Sequence, residues 1–211
     1  MGGLFITFEG PEGSGKSTQA RLLAEFLERR GHTVVLTREP GGTPIGDQIR
    51  QVLLNRTNQA MHPRTEVLLF QASRAQHVEE LISPALKAGK IVICDRYADS
   101  TLAYQGYGRG EDVAELRRLI DYATGGLWPD LTLWLDLPVE AGLARIAPDR
   151  RNRLDAEALA FHRLVQAGYA QLAAAEPQRW VRIPANRPQE AVQAEVRAAV
   201  LRRLTQPSPA K

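Results

Sequence analysis

The sequence predicts an α/β fold in three layers, a parallel sheet of five strands with helices on both faces. Three observations lead there. Short β-prone apolar runs alternate with longer stretches whose apolar residues recur every three or four positions. Residues 10–17, Gly-Pro-Glu-Gly-Ser-Gly-Lys-Ser, fit the phosphate-loop pattern G-x-x-x-x-G-K-[ST] at every fixed position, between a predicted strand and a predicted helix. Farther on, the apolar run Ile91 to Cys94 ends in Asp95, as where a strand end brings a carboxylate to a metal beside phosphates.

Taken in order, residues 4–8 read as the first strand and residues 18–27 as the helix that follows the loop. Between them Gly10, Gly13 and Gly15 let the backbone turn its N–H groups onto an anion at the helix N-terminus. Pro11, Glu12, Ser14 and Thr18 complete that nucleotide-phosphate site. Lys16 is expected to reach the β- and γ-phosphates of ATP, and the Ser17 hydroxyl to ligate Mg²⁺ with Asp95 nearby. Arg29-Arg30-Gly31 closes the helix, and residues 33–37 form the second strand. Residues 38–44, Arg-Glu-Pro-Gly-Gly-Thr-Pro, break regular structure at its carboxyl end, where ligands bind in open α/β sheets.

Helices are predicted over 45–54 and 63–87. In the second, Arg74 shares a stripe with Val67, Phe70, Val78 and Leu81, so its charge needs a partner, which a ligand or a structural ion pair would supply. After the strand at 91–94, Arg96 suits a second phosphate, because a guanidinium clamps phosphate oxygens in bidentate fashion. Residues 100–106, Ser-Thr-Leu-Ala-Tyr-Gln-Gly, concentrate hydroxyl, phenol and amide groups and read as a recognition segment ahead of a glycine turn. A helix at 111–124, a strand at 131–136 and a short helix at 138–146 follow. Arg145, Arg150, Arg151 and Arg153 then bracket Pro148-Asp149 in a basic flexible segment. A helix from about 155 to 175, a strand at 180–183 and a helix at 189–204 close one domain of 211 residues, with a tail from about 205 expected to be disordered.

Composition narrows the function. Apolar residues make up 44% of the chain and charged residues 24%, values that suit a globular core. No apolar run is long enough to span a membrane and no signal-like segment precedes the first strand, so a cytoplasmic location is expected. Cys94, the single cysteine, lies inside an apolar strand and reads as a core residue. Of the 27 basic residues only Lys16, Lys87, Lys90 and Lys211 are lysine, yet the arginines form no long tract interleaved with aromatics, which argues against nucleic acid as a partner. Neither N-K-x-D nor D-x-x-G occurs, which removes a guanine-nucleotide switch. A second set of anion and base contacts instead accompanies the phosphate loop: Arg38, Phe70, Arg74, Arg96 and the segment 100–105. Two phosphate sites imply transfer between two nucleotides.

Six strings then carry a family resemblance over nearly the whole length: F-E-G-P-E-G-S-G-K-S-T-Q at 8–19, T-R-E-P-G-G-T at 37–43, L-L-F-Q-A-S-R at 68–74, D-R-Y-A-D-S-T-L-A-Y-Q-G at 95–106, P-D-L-T-L-W-L-D at 129–136 and R-L-D at 153–155. In these the chain resembles the thymidylate kinases, of the bacterial type with lid arginines and no arginine in the phosphate loop. The resemblance implies a P-loop NTPase-type fold with a lid at about 145–154, and the reaction ATP + dTMP → ADP + dTDP, with Mg²⁺, on a homodimer that feeds dTTP synthesis. It implies Glu12 at the sugar 3′-hydroxyl, Arg38 and Arg96 at the dTMP phosphate, Phe70 on the thymine face and Arg74 at its carbonyl. Ser100, Thr101 and Gln105 would lie near the base edge and Tyr104 against the deoxyribose. Some members carry an arginine after the acidic position of the loop; here that position is Gly13, so the catalytic cation would come from Arg145, Arg150, Arg151 or Arg153. Arg150 or Arg151 is favoured, because Arg153 closely precedes the next helix, and Arg145 lies at the preceding helix and could instead flank the adenine of ATP. A kinase for a different nucleoside or nucleotide, or a nucleotide-binding regulator without turnover, would share much of this pattern.

Overall fold

The computed structural model describes residues 3–147, 149 and 152–205. Its strands are β1 (Leu4–Glu9), β2 (Val34–Arg38), β3 (Ile91–Asp95), β4 (Leu131–Asp136) and β5 (Trp180–Pro184). They form one parallel sheet in the order β2-β3-β1-β4-β5. Side chains alternate across it, as a two-residue period requires. Phe5, Val92, Cys94 and Trp134 enter one core, and Ile6, Phe8, Ile93, Leu133 and Leu135 the other. The second core is covered by α1 (Lys16–Glu28) and α9 (Gln189–Thr205). The first is covered by α3 (Pro63–His77), α6 (Val113–Thr124) and α8 (Leu159–Ala175). α2 (Pro44–Leu54) starts where Thr43 Oγ1 accepts from Gly46 N at 3.1 Å. Residues 206–211, where a disordered tail is expected, lie outside the described residues.

Three boundaries differ from the sequence reading. The single helix expected over 63–87 is α3, a π-helical turn at Val78–Ile82 and α4 (Ser83–Lys87). Pro84 has no N–H to give the carbonyl four residues back, so the helix widens there. The recognition segment, read without a helix, is α5 (Ala98–Thr101) continuing into a π-helical turn at Leu102–Gly108. Gly106 and Gly108 hid it from a propensity reading. The second is needed for packing: a Cβ at Gly108 would lie 2.7 Å from the Phe161 ring of α8. The helix expected from about 155 begins at Leu159, because the Asn152 side chain first accepts from Leu154 N and Asp155 N at 2.8 and 3.2 Å and makes a turn.

One buried ion pair ties the sheet to the recognition segment. Arg179, just before β5, donates to both Asp99 oxygens at 2.7 Å and to Thr132 Oγ1 at 2.8 Å. Asp99 is fully buried. Removing one partner strands the other charge, so Asp99→Ala is expected to cost about 3–5 kcal/mol in urea unfolding. A loss under about 1 kcal/mol would mean that the pair does not anchor α5.

Candidate active site

The carboxyl ends of β1, β2 and β3 open on a cleft of about 440 Å³. It is lined on one side by Gly13, Gly15, Lys16, Ser17, Thr18 and Arg145. On the other side lie Glu12, Arg38, Phe70, Arg74, Asp95, Arg96, Ser100, Thr101, Tyr104 and Gln105. Gly10, Pro11 and Ser14 form the loop behind this lining. The structure thus brings the two expected half-sites into one space.

The loop bends through positive φ at Gly10, Gly13 and Gly15. Gly13 matters most. A Cβ there would lie 2.1 Å from Gly142 O, and a Cβ on Gly142 would lie 2.1 Å from Glu12 O. α7 (Val139–Ala144) is thereby locked against the loop, leaving no room for an arginine at position 13. Lys16 is buried and folds back, its Nζ donating to Pro11 O at 2.8 Å and Gly10 O at 3.2 Å. Burial first, and then the nearby Arg96 charge, lower its pKa. Ser17 donates its hydroxyl directly to the Asp95 carboxylate. Among the described residues no cluster of three or more His, Cys, Asp or Glu could hold a metal alone. The hard oxygens of Ser17 and Asp95 lie together and would suit a Mg²⁺ whose other ligands came from water and phosphates.

Arg96 organises the side of the cleft that faces the phosphate loop. Among the described residues it is the only one besides glycine with positive φ, at 68°, a conformation that costs about 1–3 kcal/mol and marks functional sites. The backbone around it is pinned by Arg96 N to Phe8 O at 2.9 Å and Tyr97 N to Glu9 Oε1 at 2.8 Å. Its guanidinium donates to the Glu12 carboxylate, to Tyr104 OH at 3.0 Å, and to Ser100 Oγ and Tyr169 OH at 3.1 Å. Burial opposes the ionised form of Glu12, yet Arg96 and then Lys16 hold its pKa down to about 2. Arg96 is thus a fixed cation whose present partner, Glu12, could yield it to an incoming phosphate.

Arg74 is almost wholly buried, and its charge is met by a structural ion pair while the side chain also lines the cleft. It donates through Nε to Glu39 at 2.8 Å, through Nη1 to Gln71 and Thr101 at 3.0 and 3.1 Å, and through Nη2 to Tyr97 O at 3.1 Å. Arg38 is more exposed and pairs with Asp47 at 3.0 Å. Phe70 is half-buried on the cleft wall. Arg145 is exposed and donates to Gly13 O at 3.2 Å. Arg153 departs from its expected place. It is buried away from the cleft lining, with Nε on Leu53 O at 2.9 Å and Nη2 on the Glu66 carboxylate, so it braces the segment instead of presenting charge to a nucleotide. Arg150 and Arg151 lie outside the described residues.

Arg50 and Glu9 are among the groups that escaped the sequence reading. Arg50 of α2 lines the cleft and donates to Pro40 O at 2.8 Å. Its spacing from Asp47, which holds Arg38, is the signal that could have found it. Glu9 is fully buried and accepts from Ser100 Oγ at 2.6 Å and Tyr169 OH at 2.8 Å, both partners of Arg96. An acid in an otherwise apolar strand was the available signal. Burial and then the Asp99 charge raise its pKa from 4.5 to about 7, against Arg96 and the two hydroxyls. A folded pKa above the unfolded one contributes stability that is complete below about 4.5 and lost as pH rises through about 7. Glu9→Gln is therefore expected to flatten the fall in unfolding free energy between those pH values; an unchanged slope would place the titration elsewhere.

Residues 8–196 match the Thymidylate kinase family. The chain belongs to the thymidylate kinase family. It is 52% identical to the thymidylate kinase of Geotalea uraniireducens over 97% of this chain and 99% of that one, and 57% identical to that of Thermomicrobium roseum over 93% of each. Its fold superposes on the crystal structure of thymidylate kinase from Ehrlichia chaffeensis with a TM-score of 0.78, at 36% identity, covering 95% of this chain and 99% of that one. The five-stranded parallel sheet with its phosphate loop is thus the fold of a thymidylate kinase.

Proposed function

We propose that this chain phosphorylates dTMP to dTDP at the expense of ATP. The observation that carries this reading is the shared cleft: the phosphate loop faces Arg96, Phe70, Arg74 and Gln105 across one space. In the reaction a phosphate oxygen of dTMP attacks the γ-phosphorus, the bond from that phosphorus to the β–γ bridging oxygen breaks, and ADP leaves with the bond's electron pair. That acceptor oxygen is ionised at neutral pH, so no protein base is required. The chain's task is to hold two anions in line. Arg38, Arg50 and Arg96 bind and neutralise the acceptor phosphate, and the loop N–H groups with Lys16 bind the donor. Glu12 exchanges its bond with Arg96 for the sugar 3′-hydroxyl, while Tyr104 fills the space beside the deoxyribose. Ser17 and Asp95 would hold Mg²⁺, which supplies charge to the bridging phosphate oxygens when bound.

A homodimer accords with the exposed apolar side chains of Ile45, Val52 and Leu68 on the neighbouring helices α2 and α3. No described helix is long and apolar enough to cross a membrane, and we place the reaction in the cytoplasm.

ADP release measured against a panel of nucleoside monophosphates tests the function. Turnover should require Mg²⁺ and be fastest with dTMP; activity confined to another acceptor would overturn the reading. Within that assay Phe70→Ala should raise KM for dTMP about tenfold or more, since a base–aromatic stack contributes about 1–3 kcal/mol. Tyr104→Ala should narrow the preference for deoxyribose over ribose, and an unchanged ratio would remove Tyr104 from that role.

A further inference from the structure

Glu66 is buried in the first turn of α3 and has no place in the phosphoryl-transfer machinery, yet four N–H groups converge on it. Gln105 Nε2 donates to Oε1 at 2.9 Å, Arg109 donates from Nε at 3.3 Å and Nη2 at 3.4 Å, and Arg153 donates from Nη2. Burial alone would favour its protonation, but the Gln105 bond, then Arg153 and Arg109, lower its pKa and keep it ionised. An ionised carboxylate only accepts hydrogen bonds. Gln105 must therefore turn its NH₂ toward Glu66, since the flipped amide would set Oε1 against the carboxylate. Gln105 also lines the cleft, and among the described residues its Oε1 has no hydrogen-bond partner. Although Nε2 keeps a second hydrogen, the end of the amide turned away from Glu66 is the oxygen, so the group it presents to a ligand is an acceptor.

Arg74 lines the same cleft with the opposite offering. Its four hydrogen bonds leave one Nη2 N–H uncommitted among the described residues, and Glu39 holds the guanidinium in place. An acceptor together with a donor matches N3–H and O4 of thymine or uracil. Cytosine presents the reverse, a bare N3 and an amino group. We propose that Glu66 is a positioning residue that fixes the orientation of the Gln105 amide and thereby sets the discrimination between thymine and cytosine nucleotides.

This inference rests on the dTMP kinase reading above, so it is tested by equilibrium binding as well as turnover. Kd by calorimetry and kcat/KM by ADP release are measured for dTMP and dCMP on the full chain, Glu66→Gln, Gln105→Met and the double variant. A glutamine at 66 can both donate and accept, so it no longer dictates which way Gln105 turns. Glu66→Gln should shrink the dTMP/dCMP ratio about tenfold, chiefly through KM and Kd for dTMP, with kcat nearly unchanged. Gln105→Met should shrink it comparably, and the double variant should add little. Equal losses for both nucleotides in Glu66→Gln would assign it a structural role alone and overturn the proposal, as would an unchanged ratio in Gln105→Met. Should Glu66→Gln not fold, Glu66→Asp, which keeps the charge but draws it back by one methylene, is read by the same ratio. A parent protein that binds dTMP over dCMP but makes no dTDP would instead sink the kinase reading while leaving the Glu66 test intact.

Discussion

Lys16→Ala is expected to lower kcat for dTDP formation by about 10²–10³-fold, the scale on which removing one preorganised charge or donor from developing negative charge acts. The resting Nζ lies on Pro11 O and Gly10 O, inside the loop that would cradle the donor phosphates. Burial and Arg96 already disfavour its charged form, so an anionic phosphate at hand is the partner that restores it. The gain is therefore largest where negative charge is greatest, between the two nucleotides. Asp95→Ala is expected to act on a similar scale, and to raise the Mg²⁺ concentration needed for half-maximal rate, because Asp95 and Ser17 share the oxygen pair that fits the metal. Both variants should keep the parent's far-ultraviolet circular dichroism. Their combined loss should fall short of the sum, as for residues that act as a unit. Either single variant turning over within tenfold of the parent would show that the charge on the bridging oxygens is supplied elsewhere.

Much of the fold was legible because it is governed by local patterns. The apolar runs of β1, β3 and β4 lie where periodicity put them, and the phosphate loop joins β1 to α1 as its glycines require. What escaped was set by tertiary context. The glycines of the π-helical turn at Leu102–Gly108 weaken any local helix preference, but close packing against α8 needs at least Gly108. In the site, Arg74, Arg96 and Glu12 could be nominated from sequence, but which carboxylate meets which arginine could not. Arg74 was singled out from its stripe, whereas Glu39, distant in sequence, comes to it only when β2 pairs with β3. Glu9 and Glu66 were missed for the same reason: a buried acid is recognised by the donors the fold delivers to it. Arg153 shows the converse error. Its neighbourhood of arginines suggested a shared role, and the buried Glu66 carboxylate claims it individually.

That assignment sharpens the search for the cation that acts in the transition state. The loop cannot supply it, because Gly13 has no room for a side chain against Gly142. Arg153 is committed to Glu66 and Leu53, and Arg145 already rests on Gly13 O at the loop's edge. Arg150 and Arg151 remain from the basic segment, and we propose one of them as the group that neutralises the transferring phosphoryl. A charge delivered mainly in the transition state lowers kcat with little change in KM, and arginines in that role contribute about 10³–10⁵ in rate. Arg150→Ala or Arg151→Ala is therefore expected to reduce kcat more than 100-fold at nearly constant KM for both nucleotides. Arg153→Ala should behave differently, lowering the unfolding midpoint, because it leaves Glu66 short of a charged partner in a buried setting. Arg145→Ala should act chiefly on KM for ATP. If Arg150→Ala, Arg151→Ala and the double variant all stay within tenfold of the parent kcat, the segment carries no catalytic cation, and the developing charge must be met by Lys16, Arg96 and the metal alone.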